Sequence, residues 1–144
     1  MLMSMTGSEK GTYILIMKAE KTTSIMIGKL GMLNIQPGFY TYVGSAFGSG
    51  GLKARINHHM KIARRPHWHI DYLRKEIDLI KIVFDDSGER LEYCWAITLE
   101  KMPVATIPLV GFGSSDCAAV SHLFYFKKKP DLTELRSKEI CLSN

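Results

Sequence analysis

The first part of the chain alternates between apolar runs and short polar breaks, a pattern typical of β-strands. Two β-rich runs, TYILIMKA at 12–19 and TTSIMIG at 22–28, are separated by a charged turn, which predicts a hairpin between them. A third run, GFYTYVG at 38–44, follows Pro37, whose fixed φ and missing N–H donor suit the entry to a strand. The N-terminal third is therefore predicted to form three strands joined by a turn and by the linker KLGMLNIQ.

Beyond residue 50 the apolar period changes from two to about 3.6, which indicates helices. Pro66 is expected to end the first helix, and HWHIDYLRKE at 67–76 predicts a second, shorter one. The apolar stripe of the first helix consists of Leu52, Ile56, Met60 and Ala63.

A third helix is predicted over 88–102, before Pro103, because its apolar residues recur at i, i+4, i+8 and i+11. These residues are Leu91, Trp95, Leu99 and Met102. LIKIVFD at 79–85 and SHLFYF at 121–126 add two further strands. The order β-β-β-α-α-β-α-β predicts an α+β domain, in which three helices flank a small, mainly antiparallel sheet.

The length of 144 residues suits one domain. We expect a flexible N-terminus at 1–10, the folded domain at 11–126 and a polar, peripheral tail at 127–144. Neither a secretory signal nor an apolar run near the roughly 18 residues of a membrane span is evident, which predicts a cytoplasmic protein that does not contact membranes.

Charge and cysteine content narrow the chemistry only slightly. A net charge of +5 and a pI near 9.1 slightly favour a polyanionic binding partner. Three cysteines without a C-x-x-C pair favour buried free thiols over a disulfide framework or a thiolate zinc site.

Two positions in the helices suggest phosphate chemistry. Arg55 and His59 lie four residues apart at the edge of the first apolar stripe, where a guanidinium and an imidazole could clamp a phosphate. A solvated arginine and a hydrogen-bonded boundary histidine are the alternative. Glu92 projects towards the core edge of the third helix, so its carboxylate needs a partner. That partner is either a lysine or arginine, or a hard cation such as Mg²⁺ or Mn²⁺.

These residues also carry a family resemblance. GTY at 11–13 and YVG at 42–44, followed by a glycine loop, Arg55, His59 and Glu92, resemble the GIY-YIG nuclease superfamily. The blocks HWHIDYL and GFGSSD…SHLF look like its branch described as domain of unknown function 123. The resemblance covers about 11–126 and implies a GIY-YIG-like fold, although Tyr13 and Tyr42 are 29 positions apart, which we attribute to an extra strand between the two motifs.

The resemblance implies a role for each matching residue. Tyr13 would activate the attacking water and Tyr42 would position water or phosphate, while Gly44 would permit close backbone approach. Arg55 would stabilise charge on the scissile phosphate, and His59 would assist proton movement or orientation. These roles agree with the chemistry of the side chains, although a tyrosine with an ordinary pKa of about 10 needs nearby positive charge to act as a base.

The same resemblance implies one divalent cation, Mg²⁺ or Mn²⁺, held by Glu92 to stabilise the leaving oxygen. Basic and aromatic residues next to the expected cleft are the candidates for contacting a nucleic-acid backbone. They are Lys53, Arg64, Arg65 and Trp68.

A zinc site built from several histidines is a weaker alternative, and the GFGSSD block could either bind phosphate or cap a turn. The histidines are His58, His59, His67 and His69.

The predicted function is a metal-dependent endonuclease-type phosphodiesterase acting on nucleic acid, with DNA the expected substrate. The alternatives are a catalytically inactive nucleic-acid-binding module on the same scaffold and a protein-interaction domain. The sequence shows no DNA-recognition helix or zinc finger beside the domain, so we expect a protein partner to supply any strong specificity for a nucleotide sequence.

Overall fold

The computed structural model describes residues 7–114 and 117–142. The strands are β1 (Gly11–Ala19), β2 (Thr23–Ile27), β3 (Gly31–Ile35), β4 (Gly38–Ala46), β5 (Asp78–Asp85), β6 (Leu123–Phe126) and β7 (Lys138–Cys141). The helices are α1 (Gly51–Met60), α2 (His69–Arg74) and α3 (Glu92–Glu100), with a short 3-10 helix at Thr133–Leu135.

The centre of the fold is an antiparallel five-stranded sheet with the strand order β6-β4-β1-β5-β7. β1 lies in the middle and pairs with β4 on one side and β5 on the other. Its continuous apolar run explains this position, because a central strand is covered on both faces. The predicted α+β class, with a mainly antiparallel sheet and three helices, is confirmed.

The two faces of the sheet are buried in separate hydrophobic clusters. Tyr13, Leu15 and Met17 of β1 share one cluster with apolar residues of α1, α2 and the β2–β3 pair. Ile14 and Ile16 point to the opposite face and pack with residues of α3. The alternation of β1 side chains therefore places α1 and α2 on one face and α3 on the other.

The predicted hairpin between the first two strands is wrong. β2 pairs with β3 in a separate two-stranded sheet, and β1 pairs with β4 and β5 instead. β3 lies within the segment expected to be a linker, where Leu33 and Ile35 are buried and the intervening Asn34 is exposed. The insertion between the tripeptide motifs thus contains a two-stranded unit that packs near α2, rather than one extra strand.

The C-terminal tail also differs from expectation. β7 pairs with β5, with Ile140 opposite Ile82, so 138–141 belongs to the main sheet and is not peripheral. Ile140 is buried, which explains why a short run in a polar segment joins the sheet. The expected flexibility of the N-terminus, as far as it concerns 1–6, falls outside the described residues.

All three helices are shorter than their patterns predict, and α2 spans only His69–Arg74 of the predicted 67–76. α1 ends at Met60, several residues before Pro66, and α3 begins at Glu92 rather than near Gly88. In the described part of the chain, no helix combines the length and apolar character that a membrane crossing would require.

Candidate functional site

The pairing of β1 with β4 brings two tyrosines to one face of the sheet. Tyr13 is directly opposite Gly44, and Tyr42 is opposite Leu15, so the two tyrosines are diagonal neighbours. A Cβ atom on Gly44 would lie 2.2 Å from Cζ of Tyr13. The close approach expected at Gly44 is thus made by the Tyr13 ring, which lies flat over the glycine.

A hydrogen bond joins β1 to α1 beneath the surface. The Tyr13 hydroxyl and Nε2 of His59 are 2.6 Å apart, and both side chains are only 1% exposed. The His59 ring also lies 6.2 Å from the Tyr42 ring, measured between centroids. Helical phase correctly predicted that His59 faces inwards, whereas His58 keeps 33% of its side chain exposed.

The glycine loop turns the chain so that α1 returns over β4. Gly50 and Gly51 adopt positive φ angles of 84° and 62°, a conformation that other residues rarely accept. Arg55, one turn into the helix, then donates from Nη1 to the carbonyl oxygen of Ser45 at 2.9 Å. Its guanidinium lies 4.5 Å from the centre of the Trp68 ring, a cation–π distance.

Together these elements enclose a polar cleft of about 370 Å³. Tyr42, Arg55, Trp68 and Glu92 line it, and the Tyr13–His59 pair lies beneath Tyr42. The cleft-lining residues are Tyr42, Ser45, Arg55, His67, Trp68, His69, Glu92, Gly113, Cys117 and His122. A larger cleft of about 670 Å³ is lined by residues outside the predicted site, among them Lys18, Glu76 and Asp78.

The buried tyrosine and histidine side chains at the base of the cleft are held in their neutral forms. Burial raises the pKa of Tyr13 well above its usual value, Tyr42 adds to this, and Arg55 opposes it through its charge and a hydrogen bond. The pKa of Tyr42 is also raised, first by burial and then by the charge of Glu92. Burial lowers the pKa of His59 to about 3. Tyr13 and His59 are therefore both neutral near pH 7, and one proton lies in the hydrogen bond between them.

Glu92 enters the cleft from the opposite side, at the first turn of α3. The backbone N–H of Leu91 donates to Oγ1 of Thr12 at 3.1 Å, which fixes the start of α3 to β1. Thr12, the middle residue of the GTY sequence, thus anchors this helix. Oε2 of Glu92 lies 3.5 Å from Nδ1 of His122. One ligand atom each of Glu92, Cys117 and His122 lie within 4.8 Å of one another.

The remaining predicted nucleic-acid contacts lie outside the cleft. Lys53 on α1, and Arg64 and Arg65 in the loop before α2, are exposed, whereas Trp68 lies in the cleft wall. The structure therefore places one of the four predicted contact residues in the cleft wall and three cations on the exposed surface.

The four histidines of the weaker, zinc-binding alternative do not come together. His58 and His59 group with Asp71, not with the other two histidines. Nε2 of His58 lies 2.9 Å from Oδ1 of Asp71, and Nδ1 of His69 accepts a hydrogen bond from the N–H of Gly113.

Sequence reasoning missed Cys117 and His122 as members of the site. Cys117 directly follows the GFGSSD block and His122 lies in the SHLF block, and the sequence suggested no role for either residue. His122 is 1% exposed, and its backbone bonds to Phe112 and Val43 fix its position beside β4. Ser115 and Asp116 of the GFGSSD block lie outside the described residues, so its phosphate-binding alternative stays a prediction. The cysteines are free as predicted, but Cys94 and Cys141 are exposed and Cys117 is half-buried, not buried.

We expect acidification to destabilise the fold through His59. Its pKa falls from 6.5 to about 3 on folding, so between these values the unfolded chain binds a proton that the folded protein does not. The stabilising contribution is complete above about pH 6.5 and decreases as the pH falls towards about 3. From roughly pH 7.5 to roughly pH 5 the free energy of unfolding should drop by about 2 kcal/mol, measured by urea denaturation.

The control is His59→Gln, which keeps a polar side chain but removes the titrating group. Its stability should fall less steeply over the same pH range. Some slope should remain, because burial also lowers the pKa of His122 and acts in the same direction. Equal slopes in the two proteins would contradict the prediction.

The fold and the cleft define a class of protein. It is an α+β domain in which a tyrosine from the central sheet and an arginine from one helix share a cleft with a carboxylate from another helix, above a buried tyrosine–histidine pair. The sequence model described as "Domain of unknown function DUF123" matches residues 12–141, so the chain belongs to this family. No curated protein and no solved structure matches the chain.

Proposed function

We propose that the protein is a metal-dependent phosphodiesterase of the GIY-YIG type that cleaves a nucleic-acid backbone, with DNA as the expected substrate. The observation that carries the proposal is the convergence of Arg55 and Glu92 on one cleft, above the Tyr13–His59 hydrogen bond. A cation-binding carboxylate facing a guanidinium is an arrangement suited to a phosphate group in an in-line displacement.

Arg55 is held ready to bind a phosphate oxygen. The carbonyl of Ser45 and the face of Trp68 fix the guanidinium, so it loses little freedom when a ligand binds. The hydroxyl of Tyr42 lies in the same cleft and supplies a second polar contact. These groups would stabilise the negative charge that grows as water attacks phosphorus and the bond to the leaving oxygen breaks.

Tyr13 is the candidate general base. Its neighbours determine how its hydroxyl could lose a proton and how the resulting phenolate would be stabilised. To accept a proton from water, the hydroxyl must first pass its own proton to Nε2 of His59, 2.6 Å away. The resulting phenolate would accept a hydrogen bond from Arg55. Glu92 would hold a divalent cation, Mg²⁺ or Mn²⁺ in this proposal, whose charge supplies the additional stabilisation that the buried phenolate and the leaving oxygen require.

The surface around the cleft suits a polyanionic strand. Trp68 offers a ring for base stacking at the cleft, and exposed Lys53, Arg64 and Arg65 offer phosphate contacts nearby. Such contacts do not read bases, so a protein partner would supply any strong sequence specificity.

Cleavage assays test the proposal directly. Purified protein is incubated with Mg²⁺, Mn²⁺ or Zn²⁺ and with duplex, branched, damaged and single-stranded DNA, and with RNA. We expect cleavage of at least one DNA substrate, which a chelator removes. Glu92→Gln should lower the rate at least about 100-fold, whereas Glu100→Gln, at the other end of α3, should not. No products from any substrate, or full activity of Glu92→Gln, would refute the proposal.

A catalytically inactive nucleic-acid-binding module is the second candidate. The observation in its favour is the burial of Tyr13, which raises the pKa of the hydroxyl well above its usual value. This candidate predicts salt-dependent binding that persists in chelator and survives Tyr13→Phe, with no cleavage products.

A further inference from the structure

His122 has an unusual environment for a buried histidine. The side chain is 1% exposed and lines the cleft, yet neither ring nitrogen makes a hydrogen bond of good geometry. Nδ1 lies 3.5 Å from Oε2 of Glu92, and the ring also has a polar contact with the backbone of Gly113. Buried polar atoms nearly always have a partner, so the ring is positioned for a ligand.

The distance from His122 to Glu92 also suits a shared ion. Nδ1 and Oε2 are 3.5 Å apart, longer than the roughly 2.7–2.9 Å of a charge-assisted hydrogen bond. Bonds of about 2.0–2.3 Å to a tetrahedral zinc ion place two ligand atoms about 3.3–3.8 Å apart. Cys117 completes the group, since all three ligand atoms lie within 4.8 Å of one another.

We propose that Glu92, Cys117 and His122 bind a thiophilic divalent transition-metal ion, with Zn²⁺ the best fit, and leave one coordination position open to the cleft. A carboxylate, a thiolate and an imidazole match a borderline-soft ion. Mg²⁺, in contrast, selects oxygen ligands and would leave the thiol and the imidazole unused.

The three residues are held by separate parts of the fold. The N–H of His122 donates to the carbonyl of Phe112 at 2.9 Å, and the carbonyl of His122 accepts from the N–H of Val43 at 2.9 Å. The N–H of Cys117 donates to the carbonyl of Ser114 at 3.1 Å. To share one ion, the three ligand atoms, which now lie within 4.8 Å of one another, would have to move closer together.

The other group of potential ligands is less suitable. Both carboxylate oxygens of Asp71 are engaged, one with His58 and the other with the backbone N–H groups of His67 and Trp68. Nε2 of His59 is occupied by Tyr13. Metal binding there would break several well-formed hydrogen bonds, whereas the His122 ring makes none of good geometry.

Zinc binding is independent of any nuclease activity. Its consequence for cleavage, however, rests on the proposed function, because the ion would then be the cation that faces the phosphate beside Arg55. Under that proposal Cys117 and His122 join Glu92 in choosing which metal supports the reaction.

Metal titration of the full chain tests the site. Metal-free protein should bind one Zn²⁺ per chain in calorimetry and release about one proton, from the Cys117 thiol. Co²⁺ in its place should give the intense thiolate-to-metal absorption of a sulfur-bound ion. Cys117→Ser should remove that absorption and weaken zinc binding at least about tenfold, and His122→Gln should weaken it similarly.

Cys141→Ser is the matched control, because Cys141 is an exposed thiol on β7. It should bind zinc and cobalt like the unsubstituted protein. The site is refuted if zinc does not bind at one per chain, or if folded Cys117→Ser binds cobalt with an unchanged spectrum. Zinc binding without cleavage would remove only the proposed function, and Mg²⁺-dependent cleavage without zinc binding would remove only this site.

Discussion

Tyr13→Phe is expected to lower the cleavage rate by about 10²–10⁴-fold, the usual contribution of a positioned acid or base. The substitution keeps the ring over Gly44 and removes only the hydroxyl, which hydrogen-bonds with His59 and receives a hydrogen bond from Arg55. Single-turnover cleavage of the best substrate measures the rate. Nucleic-acid binding should stay close to that of the unsubstituted protein, because the hydroxyl lies below the cleft surface.

The same substitution should also destabilise the fold. Loss of the hydroxyl leaves Nε2 of His59 buried without its partner, which costs about 1–3 kcal/mol. The matched control is Tyr40→Phe, since the buried Tyr40 hydroxyl accepts a 2.9 Å hydrogen bond from the N–H of Gln36 outside the cleft. That variant should lose some stability and retain cleavage. If both variants cleave equally, Tyr13 has no part in the chemistry.

Local sequence patterns predicted most elements of the fold but not all of the pairing. The apolar stripe of α3 correctly predicted that Trp95 and Leu99 are buried, because helical periodicity is a local property of the sequence. Strand pairing depends on partners that can lie far away in the chain. β1 pairs with β4 although β2 and β3 lie between them in the chain. β7 is short and lies in a polar segment, so only its pairing with β5 in the structure identifies it as a strand.

Some residues of the candidate site could likewise be predicted from local sequence patterns, and others could not. His59 and Glu92 were found from helical phase, since each lies at the margin of an apolar stripe. Cys117 and His122 lie in a segment without periodicity, and the hydrogen bonds of His122 to Phe112 and Val43 exist only after the sheet has formed. Their proximity to Glu92 is a property of the tertiary structure, so residue spacing carried no signal for it.

Gly44→Ala is expected to disrupt the fold and the site together. The added methyl group would lie 2.2 Å from Cζ and 2.3 Å from the hydroxyl oxygen of Tyr13, so the ring must move. β1 is paired on both sides and cannot shift alone, which leaves displacement of the side chain or loss of the local pairing. We expect a loss of about 1–3 kcal/mol in urea denaturation and cleavage at least as low as in Tyr13→Phe.

The expected loss of stability in Gly44→Ala comes from the contact of Gly44 with the Tyr13 ring. Replacing a glycine with alanine does not by itself have this effect. Gly48, in the loop before α1, is the control, because a Cβ atom there would meet only the Arg55 side chain, at 3.9 Å, an ordinary contact. Gly48→Ala should therefore keep both stability and cleavage. A Gly44→Ala protein with unchanged stability would mean that the Tyr13 ring does not lie over Gly44. The link from the β1–β4 pairing through Tyr13 to His59 and Arg55 would then lose its structural basis.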